Sequence, residues 1–321
     1  MPASREGLAI EQTVRVPELT RRWRPGRTVD LRATLGPMRR GIGDPCLRFE
    51  GDSAWRAVRS PDGPATLRLS VRPADDEVAA AAWGRGAAWV LDAMPALLGA
   101  DDEPAGFEPQ HPVLHEALRR HAGWRVPRTG LVLESLVPAV IEQKVTCREA
   151  WRGWRQVVRR YGEPAPGPDV VGELRLHVPP QPEVWSRVPS WEWHFAGIDQ
   201  SRSRTVVRAA SVAGRLEQIT GLAHVEAAAR LQTLPGVGVW TAAEVAQRAL
   251  GDPDAVSVGD FHLAALVGWA LVGEPVDDDG MLELLEPYRG HRYRAVRMIE
   301  LSGVRPPRRG PRNAGRDYRS I

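Results

Sequence analysis

Leu234-Pro235-Gly236-Val237-Gly238-Val239-Trp240-Thr241-Ala242, followed by Val256-Ser257-Val258-Gly259-Asp260-Phe261-His262, is the stretch from which the fold can be read. Ala223 to Leu231 is Ala-rich and places Val225, Ala228 and Leu231 at spacing three, the pattern of a helix. Pro235 and Gly236 end it, because proline cannot continue a helix and glycine tolerates positive φ. A second helix is predicted from about Val239, with Val239, Ala242, Ala243, Ala246 and Leu250 on one face. Gly236 and Gly238 are expected to leave backbone N–H groups bare where it starts. Unpaired donors and the helix dipole attract anions there, so a DNA phosphate fits without any charged side chain. The same pattern also suits an ordinary αα-hairpin turn.

Asp260, 22 to 24 residues beyond the glycines, precedes the apolar run Phe261-His262-Leu263-Ala264-Ala265-Leu266-Val267. Two compatible readings follow. Asp260 is an N-cap for that helix, and a cap position also points a carboxylate out of the helix start, where it can do chemistry.

A chain of 321 residues suggests about two domains. Hydrophobic content of 43%, with 12 Trp, supports a sizeable core. No run of about 18 apolar residues is present, so no membrane span is expected. Met1 to Gly7 lacks the apolar stretch of a signal peptide, which points to the cytoplasm. Net charge is only +3, with a pI of about 9.2. Six arginines (305, 308, 309, 312, 316 and 319) crowd the end of the chain, either as salt-dependent phosphate contacts or as a solvated tail. Lys144 is the only lysine.

Residues 11 to 73 read as strands and turns. Val29 to Leu35, Cys46 to Phe49 and Thr66 to Val71 alternate, and Pro61-Asp62-Gly63-Pro64 is a turn. Asp75 to Leu98 reads as helix, and Asp101 to Gly106 as a linker. From Pro112 the pattern is helical. Leu133, Leu136, Val137, Val140 and Ile141 form a stripe around Pro138, which is expected to kink it. Trp151, Trp154, Val158 and Tyr161 continue as core. Gly162 to Pro182 reads as a long loop, Trp191 and Trp193 as core or interface, and Arg202 to Glu217 as helix. The fold class expected is α+β: a β-rich N-terminal domain over 1–103, a helical domain over 104–304 and a basic tail over 305–321.

Leu234 to Ala242 together with Asp260 resembles the helix-hairpin-helix superfamily of DNA glycosylases, and within it the AlkA-type 3-methyladenine DNA glycosylases. Ile141-Glu142-Gln143-Lys144-Val145-Thr146 is similar to the family's Gln-containing motif at the end of an early helix. Pro287-Tyr288-Arg289-Gly290-His291-Arg292 is similar to its Pro-aromatic-Arg segment before a late helix. The matches run in order over roughly 107 to 303, and residues 1 to 103 fit the family's strand-rich N-terminal domain more loosely.

The resemblance implies base excision repair of duplex DNA by a monomeric enzyme. Asp260 is the implied catalytic carboxylate, stabilising an oxocarbenium-like transition state after the damaged nucleotide is flipped from the stack. Gln143, Lys144, Gly236, Val237, Gly238 and Thr241 are the implied DNA contacts. Gln143 also has the plainer role of a helix-end hydrogen bond. Trp240 either lines the pocket, stacking on an electron-poor alkylated purine, or packs at the hairpin. Members with lyase activity carry a lysine at the Trp240 position, so a monofunctional enzyme is expected. Two cysteines, Cys46 and Cys147, cannot make the four-cysteine iron–sulfur cluster of some relatives. No cofactor is expected beyond a Na+ or K+ at the hairpin carbonyls. Glu244 departs from the family, which has an aromatic there. It is read either as a reader of base edges in the pocket, together with Arg297 of the late helix, or as a solvated helix residue. These departures keep other substrates open (deaminated, oxidised or bulky bases), and so does a non-catalytic role in binding DNA damage.

Overall fold

The computed structural model describes residues 19–72 and 76–307. Its first part is an antiparallel five-stranded sheet of order β1-β5-β4-β3-β2. In chain order it comprises β1 (Leu19–Trp23), helix α1 (Leu31–Leu35), β2 (Leu47–Glu50), β3 (Ser53–Ser60), β4 (Gly63–Arg72), β5 (Glu77–Trp83) and helix α2 (Ala87–Leu97). Pro61 and Asp62 form the two-residue turn between β3 and β4, where Ser60 pairs with Gly63. One face of the sheet buries Val58, Leu67, Leu69, Val78 and Ala80 against Val90, Leu91, Met94 and Leu97 of α2. On the other face Trp55 and Trp83 stack, with ring centroids 5.7 Å apart.

Two expectations for this part are corrected. Val29 to Leu35 is not a strand, because Asp30 Oδ1 accepts from the N–H groups of Arg32 and Ala33, each at 2.9 Å, and so caps α1. Residues 75 to 98 are not one helix. The Ala-rich segment Glu77–Trp83 is strand β5, hydrogen-bonded to β1 and β4 on its two sides. Its small side chains fit a strand covered on both faces, and ladder pairing outweighs the intrinsic helix preference of alanine. The alternating Leu47–Glu50 and Gly63–Arg72 segments are strands as read.

The helical part begins with α3 (Pro112–Arg120), α4 (Val132–Ile141) and α5 (Cys147–Tyr161). The expected loop from 162 to 182 instead holds β6 (Glu163–Pro164), α6 (Asp169–Glu173) and β7 (His177–Val178). Val171, Leu176 and Val178 of this segment cover Trp55 and Trp83, closing the outer face of the sheet. Then follow α7 (Pro182–Trp185), α8 (Ser190–Phe195), α9 (Gln200–Ser211), α10 (Ala213–Glu217), α11 (His224–Gln232), α12 (Val239–Val245), α13 (Leu263–Val272), α14 (Asp278–Leu285) and α15 (Arg292–Ser302). Trp193 is core, while Trp191 is exposed.

Helix α4 is the axis of this part. Leu136, Val137, Val140 and Ile141 are all buried, and the helix runs on through Pro138. A second core joins α3, α13, α14 and α15 through Leu114, Val267, Met281, Leu285 and Ile299. The 101–106 segment is fixed to this core. Arg294 donates to both oxygens of Asp102, at 2.9 and 2.6 Å, with only 2% of either side chain exposed. Of the basic tail, 308–321 lies outside the described residues, as does the 1–18 segment.

Removing one partner of such a buried pair strands a charge, which costs about 3–5 kcal/mol. Asp102→Ala is predicted to lower the unfolding free energy by about that much in urea denaturation.

A second test concerns Asp254, which binds the start of α15. Its Oδ1 accepts from Gly290 N–H at 2.8 Å, Arg292 N–H at 3.0 Å and Arg292 Nε at 2.8 Å. Burial alone would raise this carboxyl, but the hydrogen bonds and charge of Arg292 outweigh it and hold it below the ordinary value. The unfolded chain therefore takes up this proton at higher pH than the folded one. The contribution is full above the ordinary carboxylate range and is lost as pH falls through the folded value. The stability gap between wild type and Asp254→Asn should narrow on acidification from roughly pH 7 to pH 3.

Candidate active site

Helices α11 and α12 meet at the Pro235–Gly238 turn, and α12 passes into a π-helical turn, Ala246–Leu250, closed by Gly251 at φ 70°. The two glycines do different work. Gly236 has φ 96°, and a Cβ there would lie 2.0 Å from Thr205 Oγ1, so the fold requires glycine. Gly238 is extended (φ −98°, ψ −173°), and a Cβ would meet nothing within 4 Å. Packing does not explain it; open space in front of its backbone does suit an approaching group. Ala242 N–H makes the first bond back along α12, to Gly238 O at 2.9 Å, so the N–H groups of Val239, Trp240 and Thr241 lie ahead of it.

Val237, expected among the DNA contacts, is a core residue, and its N–H closes the turn onto Leu234 O at 3.0 Å. The packed faces largely follow the expectation. Leu231, Ala242, Ala243, Ala246 and Leu250 are buried as read, joined by Ala227 and Val245, while Val225 and Val239 are exposed. A spacing of three fits either of two adjacent faces of a short helix, and on α11 the face turned to α12 wins.

Gln143 follows α4 and reaches the hairpin. Its Nε2 donates to Gly236 O at 2.9 Å and to Thr241 Oγ1 at 2.8 Å. Thr241 is buried, so its hydroxyl braces the turn rather than facing outward. Lys144 is exposed and left-handed, with φ 54°.

Asp260 stands two residues before His262, which is the N-cap of α13. Asp260 Oδ1 accepts from the N–H groups of His262 (2.8 Å) and Leu263 (3.1 Å) and so fixes the turn into the helix. Oδ2 accepts from Trp240 Nε1 at 3.1 Å. The carboxylate is thereby held between the start of α13 and the first turn of α12. Phe261, assigned by its sequence to an apolar helical face, is instead exposed, with its ring edge-on to His262.

Glu244 is neither solvated nor free. It accepts from Ser257 Oγ at 2.7 Å and pairs with Arg248 at 2.8 Å. Gln247 Nε2 donates to the same Ser257 oxygen at 2.9 Å. Arg297 pairs with Glu300 and donates to Ala33 O at 3.3 Å. Glu244, Arg248, Arg297 and Glu300 all act electrostatically on the buried Tyr293, whose hydroxyl is raised chiefly by burial. Glu244 and Arg297 thus belong to one polar cluster, reached from the N-terminal part by the carbonyl of Pro37, which accepts from Arg248 Nε at 3.2 Å. Sequence reasoning missed Arg248, Ser257 and Tyr293. The Glu244–Arg248 spacing of four on a helix was the one available signal.

No family model matches the chain. Over 175 residues it is 34% identical to a Mycobacterium tuberculosis protein described as "Probable bifunctional transcriptional activator/DNA repair enzyme AlkA", a match covering 54% of this chain. The chain spans about a third (33%) of that relative's length. A 3-methyladenine DNA-glycosylase from Archaeoglobus fulgidus superposes with a TM-score of 0.71 at 17% identity, over 88% of this chain and 98% of that one. An 8-oxoguanine glycosylase/lyase from Clostridium acetobutylicum, in its apo form, gives 0.67 at 11% identity, over 90% and 98%. The chain therefore has the α+β fold of these glycosylases, with an AlkA-like stretch of sequence.

The contrast between the glycines is testable. Gly236→Ala is expected to lose about 1–3 kcal/mol through the strained backbone, and more from the Thr205 clash. Gly238→Ala should melt within a few degrees of wild type in a thermal scan.

Proposed function

We propose that this chain is a monofunctional DNA glycosylase of base excision repair, hydrolysing the N-glycosidic bond of a damaged, alkylated purine in double-stranded DNA. The observation that carries the reading is the placement of Asp260. One carboxylate, fixed by two backbone donors and an indole N–H, stands beside an anion-attracting hairpin. A pure binder gains nothing from a negative charge next to phosphates. A glycosylase gains stabilisation of the positive charge that develops on the sugar, and the effect strengthens once water is excluded.

In this reading the backbone at Gly238 and the start of α12 takes a phosphate, Gln143 keeps the turn in shape, and Lys144 faces the duplex. The Lys144 stem can fill the space left by the flipped base while its ammonium reaches a phosphate. Trp240, hydrogen-bonded to Asp260, sets its ring beside the carboxylate, where a cationic alkylated base gains from the aromatic face. The carbonyls of Leu234 and Gly236 each accept one hydrogen bond, from Val237 N–H and Gln143 Nε2. Each keeps a lone pair with which a Na+ or K+ would reinforce the anion site. A monomer and a cytoplasmic, nucleoid-associated location complete the proposal.

The fold is shared by a glycosylase/lyase, so lyase chemistry rests on the side chains. A Schiff base needs an amine, and position 240 offers an indole. The polar cluster of Glu244, Ser257 and Arg248, whose Glu244 lies four residues along α12 from Trp240, favours a second reading, in which the base is deaminated, oxidised or a bulky adduct read by hydrogen bonds.

The test is base release from duplexes carrying methylated, deaminated and oxidised purines. Wild type should release one class, and Asp260→Asn should lose at least about 100-fold in rate while still binding. Release by Asp260→Asn at the wild-type rate would refute the assignment. Trp240→Phe, which keeps a ring but removes the donor, should slow release roughly 10–100-fold. Borohydride should trap no protein–DNA adduct; an adduct that survives Lys144→Ala contradicts the monofunctional reading.

A further inference from the structure

Helix α5 carries Arg148, Arg152, Arg155 and Arg159, spaced four, three and four residues apart. At about 100° per residue these fall in one narrow stripe. The opposite side of the helix is core, with Ala150, Trp154, Val157 and Val158 buried. Capped by Thr146, the helix starts just beyond Gln143 and Lys144.

The stripe leads to a loop of the N-terminal part. A Cβ on Gly43 would lie 2.5 Å from Arg155 Nη1, and one on Gly41 would lie 2.6 Å from the Trp151 ring. Arg39 Nη2 donates to Ile42 O at 3.1 Å, and Arg48 donates to the same oxygen, so two guanidinium groups grip the loop and leave Ile42 83% exposed at its crest. Burial lowers the pKa of Arg48, the positive charges of Arg39, Arg159 and Arg155 add to the shift, and the negative charge of Asp44 opposes it.

Acids are nearly as numerous as bases in this chain, 40 against 43. Even so, Arg39, Arg48, Arg152, Arg155 and Arg159 have no ion-pair partner among the described residues, while Arg160 on the same helix pairs with Glu192 at 2.7 Å. Arg39, Arg155 and Arg159 lie close enough to Arg48 to act on its charge, Arg152 continues their stripe along α5, and such a gathering of cations without ion-pair partners suits a polyanion. The patch is continuous with the hairpin side of the molecule, because Trp151 Nε1 donates to Glu142 Oε1 at 3.2 Å, next to Gln143.

We propose that Arg152, Arg155 and Arg159, together with the Arg39–Arg48 loop, form a phosphate track for the duplex flank outside the lesion. The proposal rests on the glycosylase reading for its ligand. From 152 to 159 the helix rises roughly 10 Å, about three phosphate steps along one strand. The contacts are to backbone only and carry no sequence preference.

Fluorescence anisotropy of the full chain on lesion-free duplexes, titrated with salt, tests this. Each phosphate contact adds roughly 0.9 to the slope of log K against log salt. The triple variant Arg152→Ala/Arg155→Ala/Arg159→Ala should lose about 3 from the wild-type slope, and the triple Arg→Lys variant should keep it. Ile42→Asp, on an exposed crest, should weaken binding by adding repulsion. An unchanged slope in the triple Ala variant, with wild type still binding DNA, overturns the track and leaves the glycosylase reading standing. That outcome would point the patch to an acidic protein partner. Arginine-dependent binding without release of any base does the reverse. Wild type that binds no duplex refutes both.

Discussion

A helix buried on every side cannot hand its end groups to water, and the rest of the helical part is arranged around that constraint on α4. The groups left over at either end of a helix need protein partners when they are enclosed. At its start, the N–H groups of Val132 and Leu133 are taken by the two oxygens of Glu217, at 2.8 and 2.9 Å, from α10. At its end, Ile141 O accepts from Arg202 Nη1 at 2.7 Å, from α9. Side chains from 61 to 85 residues away thus complete the helix. The chain leaving α4 is then positioned well enough for Gln143 to grip the hairpin. The site's geometry is inherited from the solution to a hydrogen-bonding problem in the core.

The N-terminal sheet takes part in the same arrangement. Beside the apolar cover of Trp55 and Trp83, polar contacts join the two parts. Arg56 pairs with Glu134 of α4, Arg40 with Glu142 at 3.1 Å, and Trp154 Nε1 donates to Asp44 at 3.2 Å. Arg248 and Arg297 reach back to Pro37 and Ala33. Buried pairs of this kind are weak evidence for stability, but they fix register, since a shifted interface would leave charges unpaired. The cluster around Glu244 therefore belongs to both parts of the molecule.

Much of this was legible in the sequence, and the failures have physical causes. The hairpin was readable because proline and glycine act locally, and Gly236 is explained by a φ that other residues avoid. The hold of Asp260 on the start of α13 was readable because a side chain that bonds backbone two and three residues on is also a local device, though the N-cap itself is His262. The burial of Val237 was not readable, because its side chain packs into a core whose other members lie far away in sequence. The Ala-rich strand β5 was lost for the same reason: pairing on both sides and cover on both faces overrode a local preference. Glu244 was read as a pocket or solvent residue, yet its partner Ser257 sits across a loop, and only tertiary structure brings the two together. Domain-scale periodicity survived, as in the buried stripe of α4, because a face covered by many neighbours leaves a pattern that no single contact can blur.

Lys144 has a chemical consequence beyond its place in the turn. It is the sole ε-amine in the chain, and it stands exposed at the tip that follows Gln143. Acylating reagents that seek primary amines thus find one side chain in the protein, besides the chain's own amino terminus. The molecule comes with a unique chemical address at the face proposed for DNA. A dye or crosslinker can be set there without introducing any residue, and protection of that amine would report occupancy of the face directly.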